Sequence, residues 1–231
     1  MSVLSKPEIL KYYKNGLIII EPFNRENLSS TSYDVRLGEY FYRQNQMERT
    51  EILNPFSKDS INKMYFKLEK AIEVRKIKSQ LNSFKNLKPT DKVILISPNE
   101  TILAHTIEFI GGKNSKDLAI TSEMRARSSL GRIGIAVCKC AGWGDVGYIN
   151  RWTMEITNFS SVVIPLVVGM RIAQIIFHQV EPISQIDEYQ LRGKYQKSID
   201  IESLKKNWQP EMMLPKLYQD KDLGKFRKYW K

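Results

Sequence analysis

A run of basic and hydroxyl side chains at residues 125–132 is the first segment of this sequence whose residue types could do chemistry. It holds three arginines, two serines and a glycine, directly before an apolar segment. Guanidinium groups, hydroxyls and closely approached backbone N–H groups are what phosphate oxygens require. The run therefore predicts a phosphate-binding site, although a surface turn with solvated arginines would have the same composition.

A carboxylate on an alternating segment is the second candidate. In residues 151–158, apolar side chains at positions 152, 154 and 156 alternate with polar ones at 153, 155 and 157. This period of two predicts a strand with one apolar and one polar face. Glu155 lies mid-strand on the polar face, and a rigidly placed carboxylate suits a general base. On the pattern alone, a solvent-facing glutamate is the simpler interpretation.

A glycine-rich turn at residues 141–148 carries one acid, Asp145. The carboxylate could contact a sugar hydroxyl, or it could close an Asx turn. The sequence leaves both interpretations open.

Other common chemistries lack their residues. Neither a Walker phosphate loop nor a G-x-S-x-G nucleophile elbow is present. Zinc nucleobase deaminases need H-x-E followed by P-C-x-x-C. His105 stands three residues before Glu108 rather than two, and Cys138 and Cys140 are one residue too close together. We therefore expect no zinc site, reduced cysteines within a strand, and satisfied strand histidines at His105 and His178.

Short strands are the elements that must position these residues. A capping box with an early proline predicts a helix that begins near Ser5. β-branched and alternating patterns predict strands at 17–22, 32–38, 93–96, 101–110, 133–140, 151–158, 162–168 and 171–180. Regular short strands separated by turn signals predict a mainly β barrel or sandwich.

A polar segment interrupts this series of strands. Residues 44–91 hold no glycine and are rich in lysine, asparagine, serine and glutamine. Within them, Ile61, Met64, Tyr65 and Leu68 have the spacing of one helix face. We interpret the segment as an insertion that carries a helix.

The C-terminal residues 204–231 differ again, because they mix basic and aromatic side chains. Such mixing can bind single-stranded nucleic acid, but docking of the aromatic rings on this or a neighbouring subunit is the favoured interpretation. The predicted organisation is one domain over residues 1–203, including the insertion, followed by a C-terminal extension over 204–231.

Composition limits the classes of partner. The chain has 231 residues, 42% of them apolar, and a formal net charge of +11, which favours polyanionic partners. No stretch approaches the roughly 20 apolar residues of a membrane helix, and the N-terminal residues lack the apolar run of a signal peptide. We therefore expect a cytoplasmic protein without a membrane partner, for which nucleic acid is the less favoured anion.

Six segments, taken together, resemble the dCTP deaminase branch of the trimeric dUTPase superfamily. In chain order they are DVRLG at 34–38, RSSLGR at 127–132, AGWGDVGY at 141–148, ME at 154–155, GMRIAQ at 169–174 and the segment at 189–198. The resemblance covers about residues 5–40 and 92–200. It implies a dUTPase-like, distorted, jelly-roll-like β-barrel with a few short helices. Cys138 stands where members often carry histidine, so the base pocket is expected to differ.

The resemblance also implies roles for particular residues. Glu155 would be the general acid and base that activates water for attack on C4 of cytosine, with Arg132 orienting it and Ser128 beside it. Arg127, Ser128 and Ser129 would bind the phosphates. Further contacts to the nucleotide are implied for Asp145, which would face the deoxyribose 3′-hydroxyl, and for Tyr148, Tyr189, Lys194 and Gln196. Mg²⁺ would bind through the triphosphate rather than a protein cage, and the sites would lie between subunits of a homotrimer.

The implied activity is hydrolytic deamination of dCTP to dUTP and ammonia, without a metal at the base, in pyrimidine deoxynucleotide metabolism. One alternative is a bifunctional enzyme that continues from dUTP to dUMP and pyrophosphate, with dTTP as a candidate inhibitor in either case. A plain dUTPase is disfavoured because Glu155 would then be idle. The alternative from another class is a non-catalytic, nucleotide-binding regulatory protein on the same fold.

Overall fold

The computed structural model describes residues 2–45, 52–77, 84–220 and 224, and it is mainly β, as predicted. Its strands are β1 (Ser2–Val3), β2 (Ile18–Glu21), β3 (Tyr33–Arg43), β4 (Leu68–Lys70), β5 (Ile72–Glu73), β6 (Lys92–Ile96), β7 (Thr101–Gly112), β8 (Ala119–Ala126), β9 (Ile135–Ala136), β10 (Trp143–Gly144), β11 (Ile149–Asn158), β12 (Ile164–Val167) and β13 (Arg171–Val180). Its α-helices are α1 (Lys6–Lys14), α2 (Lys58–Met64), α3 (Ser128–Arg132), α4 (Tyr189–Arg192) and α5 (Ile201–Asn207). In the described ranges, no helix is long and apolar enough to span a membrane.

Helix α1 begins as its sequence predicts. The backbone N–H of Ser5 donates to a carboxylate oxygen of Glu8 at 2.9 Å, which closes the capping box. Pro7 lies in the first turn, where its missing N–H costs no helical hydrogen bond. Ile9 and Tyr12 turn inward and anchor the helix on the sheet.

Most strands join one large curled sheet. Its strand order is β10-β8-β13-β3-β7-β11-β9. Outside this order, β1 pairs with β13, β2 pairs with β7 and β4 pairs with β3. A second sheet has the order β12-β6-β5. Strand β11 lies near one end of the large sheet and pairs with β7 along most of its length. The strand of the candidate carboxylate is therefore held by long antiparallel pairing.

The core lies against the apolar face of β11, as the alternation predicts. Trp152, Met154 and Ile156 are almost fully buried, at 3%, 0% and 0% exposure. The indole N–H of Trp152 donates to the carbonyl of Ile110 at 3.0 Å, so its polar atom is satisfied inside the core. Burying this face fixes which side chains of the strand point the other way.

The prediction for residues 133–140 is wrong in extent. Only β9 is a strand there, and residues 133 and 134 form a turn that follows the short helix α3. Cys140 is exposed with a φ of 64°, so it belongs to a turn rather than a strand. Cys138 is half-buried, and both cysteines are free. Strand β8 was not predicted at all.

The helix of the insertion exists but ends earlier than predicted. Helix α2 begins after Ser57, whose hydroxyl accepts the N–H of Ser60, and it ends at Met64. Leu68 lies in β4 and pairs with Tyr42 of β3, at 36% exposure. The apolar spacing was compatible with another helical turn, but pairing with an existing strand satisfies the same backbone groups.

The insertion and the C-terminal extension meet on one side of the large sheet. Tyr42, Ile61, Tyr65, Leu103 and Met213 form a buried apolar group, here called the insertion–tail cluster. The extension thus docks on its own chain over the part that is described. The predicted docking aromatics at 226, 229 and 230 lie outside the described residues.

Candidate active site

Glu155 lies on the face of β11 that turns away from the core. Arg151, Thr153 and Glu155 occupy alternate positions on this strand and line one cavity of about 380 Å³. Across the sheet, Glu155 stands opposite Leu103 of β7. The strand therefore places Glu155 at a cavity, half-buried and with one carboxylate oxygen buried, rather than in open solvent as the simpler interpretation had it.

The environment of the Glu155 carboxylate is only partly polar. Burial raises the pKa of Glu155, while hydrogen bonds from its own N–H and that of Lys139, and the charge of Lys139, lower it; burial has the largest effect. Within the described part of the chain, Oε2 of Glu155 is buried and has no hydrogen-bond partner. A carboxyl group with a raised pKa and an unpartnered oxygen, in a residue that lines a cavity, is suited to accept and return a proton.

Aromatic rings form one wall of this cavity. Tyr148 packs edge-on against Trp152 at 5.2 Å and against Tyr189 at 4.9 Å, measured between ring centroids. Burial raises the pKa of Tyr148 strongly and that of Tyr189 to about 12, so both phenols stay neutral. A Cβ on Gly111 would stand 1.9 Å from the carbonyl oxygen of Tyr148, so only glycine permits this close approach.

Asp145 lies at the edge of the same region. Its carbonyl accepts the N–H of Tyr148 at 2.9 Å, and Gly147 follows with a φ of 87°, so the segment is a tight turn. The side chain is exposed, and its charge contributes to the raised pKa of Tyr189. Tyr148, Tyr189 and Glu155 therefore line one cavity, whereas Asp145 lies near Tyr189 and is not among the lining residues.

The predicted phosphate-binding run lies elsewhere. Ser128, Ser129 and Arg132 belong to α3 and are exposed. The guanidinium Nε of Arg127 lies 3.7 Å from Asp34. None of these four predicted residues is among those that line the Glu155 cavity. Their roles in phosphate binding and in orienting Glu155 remain predictions.

The C-terminal segment contributes differently at its two predicted residues. Lys194 forms an ion pair with Asp220 at 2.6 Å. Gln196 is 4% exposed; its amide accepts the N–H of Ile149 at 2.8 Å and donates to the carbonyls of Gly147 and Ser198. The Gln196 side chain thus fastens the segment to the start of β11. Its contact with a nucleotide remains a prediction.

Several lining residues were not predicted. Tyr65 of the insertion, and Trp208, Met212 and Met213 of the extension, close the cavity. No motif marked them, because their proximity arises only when two distant segments fold together. Arg151 could have been found from the alternation, since it shares the face of Glu155.

Arg151 lines the cavity with a guanidinium group that contacts aromatic rings. Its guanidinium lies between the rings of Phe109 at 5.1 Å and Trp208 at 4.7 Å, and burial lowers its pKa. Its Nε is buried without a hydrogen-bond partner among the residues described. The cavity therefore contains one carboxyl and one guanidinium, four residues apart on the same strand face.

The potential metal ligands are engaged in other contacts. His105 is neutral at physiological pH, because burial lowers its pKa to about 4, and its ring nitrogens contact the Thr106 carbonyl and the Tyr40 N–H. The thiol of Cys138 donates to the Met124 carbonyl. Over the described ranges, no group of three or more histidine, cysteine, aspartate or glutamate side chains is placed to hold a metal ion.

Comparison with known proteins places these features in a family. The family model described as dCTP deaminase-like matches residues 3–180. The dCTP deaminase, dUMP-forming, of Sulfurihydrogenibium sp. (strain YO3AOP1) is 31% identical over 195 residues, which cover 84% of this chain and 91% of that protein. The protein of the same name from Nanoarchaeum equitans (strain Kin4-M) is 31% identical over 198 residues, 84% and 92% of the two chains.

Among solved structures, the 2′-deoxycytidine 5′-triphosphate deaminase from Agrobacterium tumefaciens matches with a TM-score of 0.49 and 17% identity. The match covers 77% of this chain and about half, 48%, of that one. The resemblance drawn from the six sequence segments is thus confirmed by the family model and the sequence relatives. The chain belongs to the dCTP deaminase-like family.

Proposed function

We propose that the protein converts dCTP and water to dUMP, ammonia and pyrophosphate, with Glu155 as the catalytic carboxylate. The observation that carries this proposal is the buried Glu155 carboxyl, which faces an aromatic-lined cavity with one oxygen free and a raised pKa. A cavity of about 380 Å³ lies within the range of small-molecule sites.

In the proposed first step, Glu155 removes a proton from a water molecule that attacks C4 of the cytosine base. The tetrahedral carbon forms as N3 takes up a proton, and a further proton delivered to the amino group lets ammonia leave. One water is consumed, one ammonia is released, and uracil remains. A carboxyl whose pKa lies nearer to neutral is suited to carry protons in both directions.

In the proposed second step, a second water splits dUTP into dUMP and pyrophosphate. Sequence relatives over most of the chain carry the name dCTP deaminase, dUMP-forming. These names favour the bifunctional alternative over release of dUTP. In this proposal, the carboxylate of Asp145, at the turn beside Tyr189, faces the 3′-hydroxyl of the deoxyribose.

The phosphates are assigned to Arg127, Ser128 and Ser129, supplied by a neighbouring subunit. This arrangement would also bring Arg132 towards Glu155. Magnesium bound through the triphosphate would offset part of the phosphate charge, and the protein supplies no cage for it in this proposal.

A product assay tests the proposal. The protein is incubated with dCTP and magnesium, and the nucleotides are separated by chromatography. We expect dUMP and pyrophosphate; accumulation of dUTP would restrict the activity to deamination. Tight binding of dCTP without turnover would contradict the enzyme proposal and favour the regulatory nucleotide-binding protein.

A further inference from the structure

The insertion supplies one wall of the cavity that holds Glu155. Helix α2 buries Ile61 in the insertion–tail cluster, and the chain turns at Tyr65 directly after the helix ends. Tyr65 thereby lines the same cavity as Glu155, although 90 positions separate the two residues in the sequence. The resemblance to the dCTP deaminase family in the sequence segments did not extend to this insertion.

The phenol oxygen of Tyr65 is held by one hydrogen bond from the insertion's own chain. The side-chain amide of Gln44 donates to the Tyr65 oxygen at 2.9 Å. Burial raises the pKa of Tyr65, and the charge of Glu155 raises it further, so the phenol stays protonated and stands within electrostatic reach of the carboxylate. Its oxygen accepts one hydrogen bond from Gln44, and its O–H can still donate to another group.

Glu155 is not that acceptor in the structure. Among the residues described, Oε2 of Glu155 is buried without a hydrogen-bond partner, so Tyr65 does not donate to it. Tyr65, Tyr148, Tyr189 and Glu155 nevertheless line the same cavity of about 380 Å³. A cavity lined by aromatic rings and a few polar groups is typical of sites for small, flat, polar-edged molecules.

We propose that Tyr65 is a specificity-determining residue that donates a hydrogen bond to an acceptor atom on the edge of the pyrimidine base. The inference rests on the proposed function, because it takes the base beside Glu155 as the occupant of the cavity. The insertion then has a role in recognition of the substrate, and Gln44 is a positioning residue that orients the phenol.

The test compares two buried tyrosines of the insertion–tail cluster. Tyr65→Phe removes the hydroxyl of a residue that lines the cavity and keeps the ring. Tyr42→Phe is the matched control, because Tyr42 lies in the same cluster and does not line the cavity. Both substitutions are made in the wild-type chain and in the Glu155→Gln background, in which we expect dCTP to bind without turnover.

In the wild-type background, we expect Tyr65→Phe to raise KM for dCTP about tenfold, while kcat changes by less than about twofold, because the bond is made to the bound base throughout. Tyr42→Phe should leave both constants within about twofold of wild type. Gln44→Leu should raise KM by a smaller factor than Tyr65→Phe, because the phenol is retained but no longer oriented.

Calorimetric binding of dCTP to the Glu155→Gln proteins separates this inference from the proposed function. Absence of turnover in the wild type would contradict the proposed function alone. A dissociation constant raised about tenfold by Tyr65→Phe, but not by Tyr42→Phe, supports the inference whatever the turnover. Equal effects of the two substitutions, or a loss confined to kcat, would overturn it.

Discussion

At the scale of single residues, the position of Glu155 follows from the opposite face of its strand. That face of β11 is apolar and is buried in the core, so the Glu155 side chain must point away from the core, towards the cavity. The result is a carboxyl with a raised pKa and one unpartnered oxygen. Such groups are costly for folding and useful for catalysis.

The first prediction concerns catalysis by Glu155. Glu155→Gln keeps the shape but cannot accept a proton, so we expect deamination to fall by about 10²–10⁴-fold, with dCTP binding retained. In the wild type, kcat/KM should decline as the pH falls through a pKa above the ordinary value of 4.5, because the base becomes protonated. Rates of ammonia release from pH 4 to 9 provide the measurement. Full activity of the variant would remove Glu155 from its proposed role.

The second prediction concerns stability. A carboxyl whose pKa is raised by folding binds its proton more tightly in the folded state, so stability is lost as the pH rises through the folded-state pKa. Glu155→Gln should therefore be more stable than wild type at pH 8, and the difference should shrink as the pH falls through the raised folded-state pKa and vanish below the ordinary pKa of 4.5. For a chain of this size, each kcal/mol corresponds to about 2–4 °C in Tm. A lower Tm for the variant at pH 8 would contradict the burial argument.

The sequence could indicate Glu155 but not its neighbours in space. Alternation along β11 predicted which side chains share a face, and that prediction is confirmed by the cavity. Tyr65 and Trp208 carried no local signal, because what places them at the site is packing between segments separated by long stretches of chain. Local patterns report the face of an element, and they do not report which remote element covers it.

At the scale of elements, strands with clean alternation or β-branched runs were predictable and the others were not. Strand β13 begins and ends where predicted. Strand β8 was missed, because its polar and charged residues obscure the pattern, although its central residues are buried between β13 and β10. Helix α2 was predicted one turn too long, because Leu68 fits a helical spacing as well as a strand.

The third prediction concerns how the C-terminal segment is attached. Gln196→Ala leaves the buried N–H of Ile149 without its acceptor, so we expect a loss of about 1–3 kcal/mol in the free energy of unfolding. Because Ile149 begins β11, the attachment of Tyr189 and Tyr195 to the cavity should weaken as well, and KM should rise. Urea unfolding and steady-state kinetics measure the two effects.

The control for this substitution is Gln185→Ala, an exposed position in the short 3₁₀ turn Gln185–Asp187. It should change stability by less than about 0.5 kcal/mol. If the two variants unfold at the same urea concentration, the hydrogen bonds of Gln196 do not fasten the segment.

At the scale of the whole molecule, one chain holds only part of the proposed machinery. Glu155 and its aromatic wall line the cavity, whereas Ser128, Ser129 and Arg132 are exposed on α3 and do not line it. The exposed Ser128, Ser129 and Arg132 would contact a bound nucleotide if α3 completes the site of a neighbouring copy, as the trimer implied by the sequence resemblance requires.

The fourth prediction follows from that geometry. Glu155→Gln and Arg132→Ala should each be nearly inactive alone. When the two variants are unfolded, mixed in equal amounts and refolded together, some sites receive an intact glutamate from one subunit and an intact arginine from the next. With random assembly into closed rings, about one quarter of the sites should be intact, so activity should return to about a quarter of the wild-type value.

A matched mixture makes this result specific to the division of the site between subunits. Arg132→Ala and Ser128→Ala alter the same contributing surface, so a mixture of the two leaves every site with one defective neighbour and should stay inactive. Recovery in both mixtures would reflect a general effect of refolding. Recovery in neither would mean that Glu155 and Arg132 act within one chain, or that they do not act in the same site. Recovery confined to the first mixture would show that α3 of one subunit reaches the cavity of another. That arrangement would explain why the phosphate-binding run and the carboxylate lie apart in a single chain.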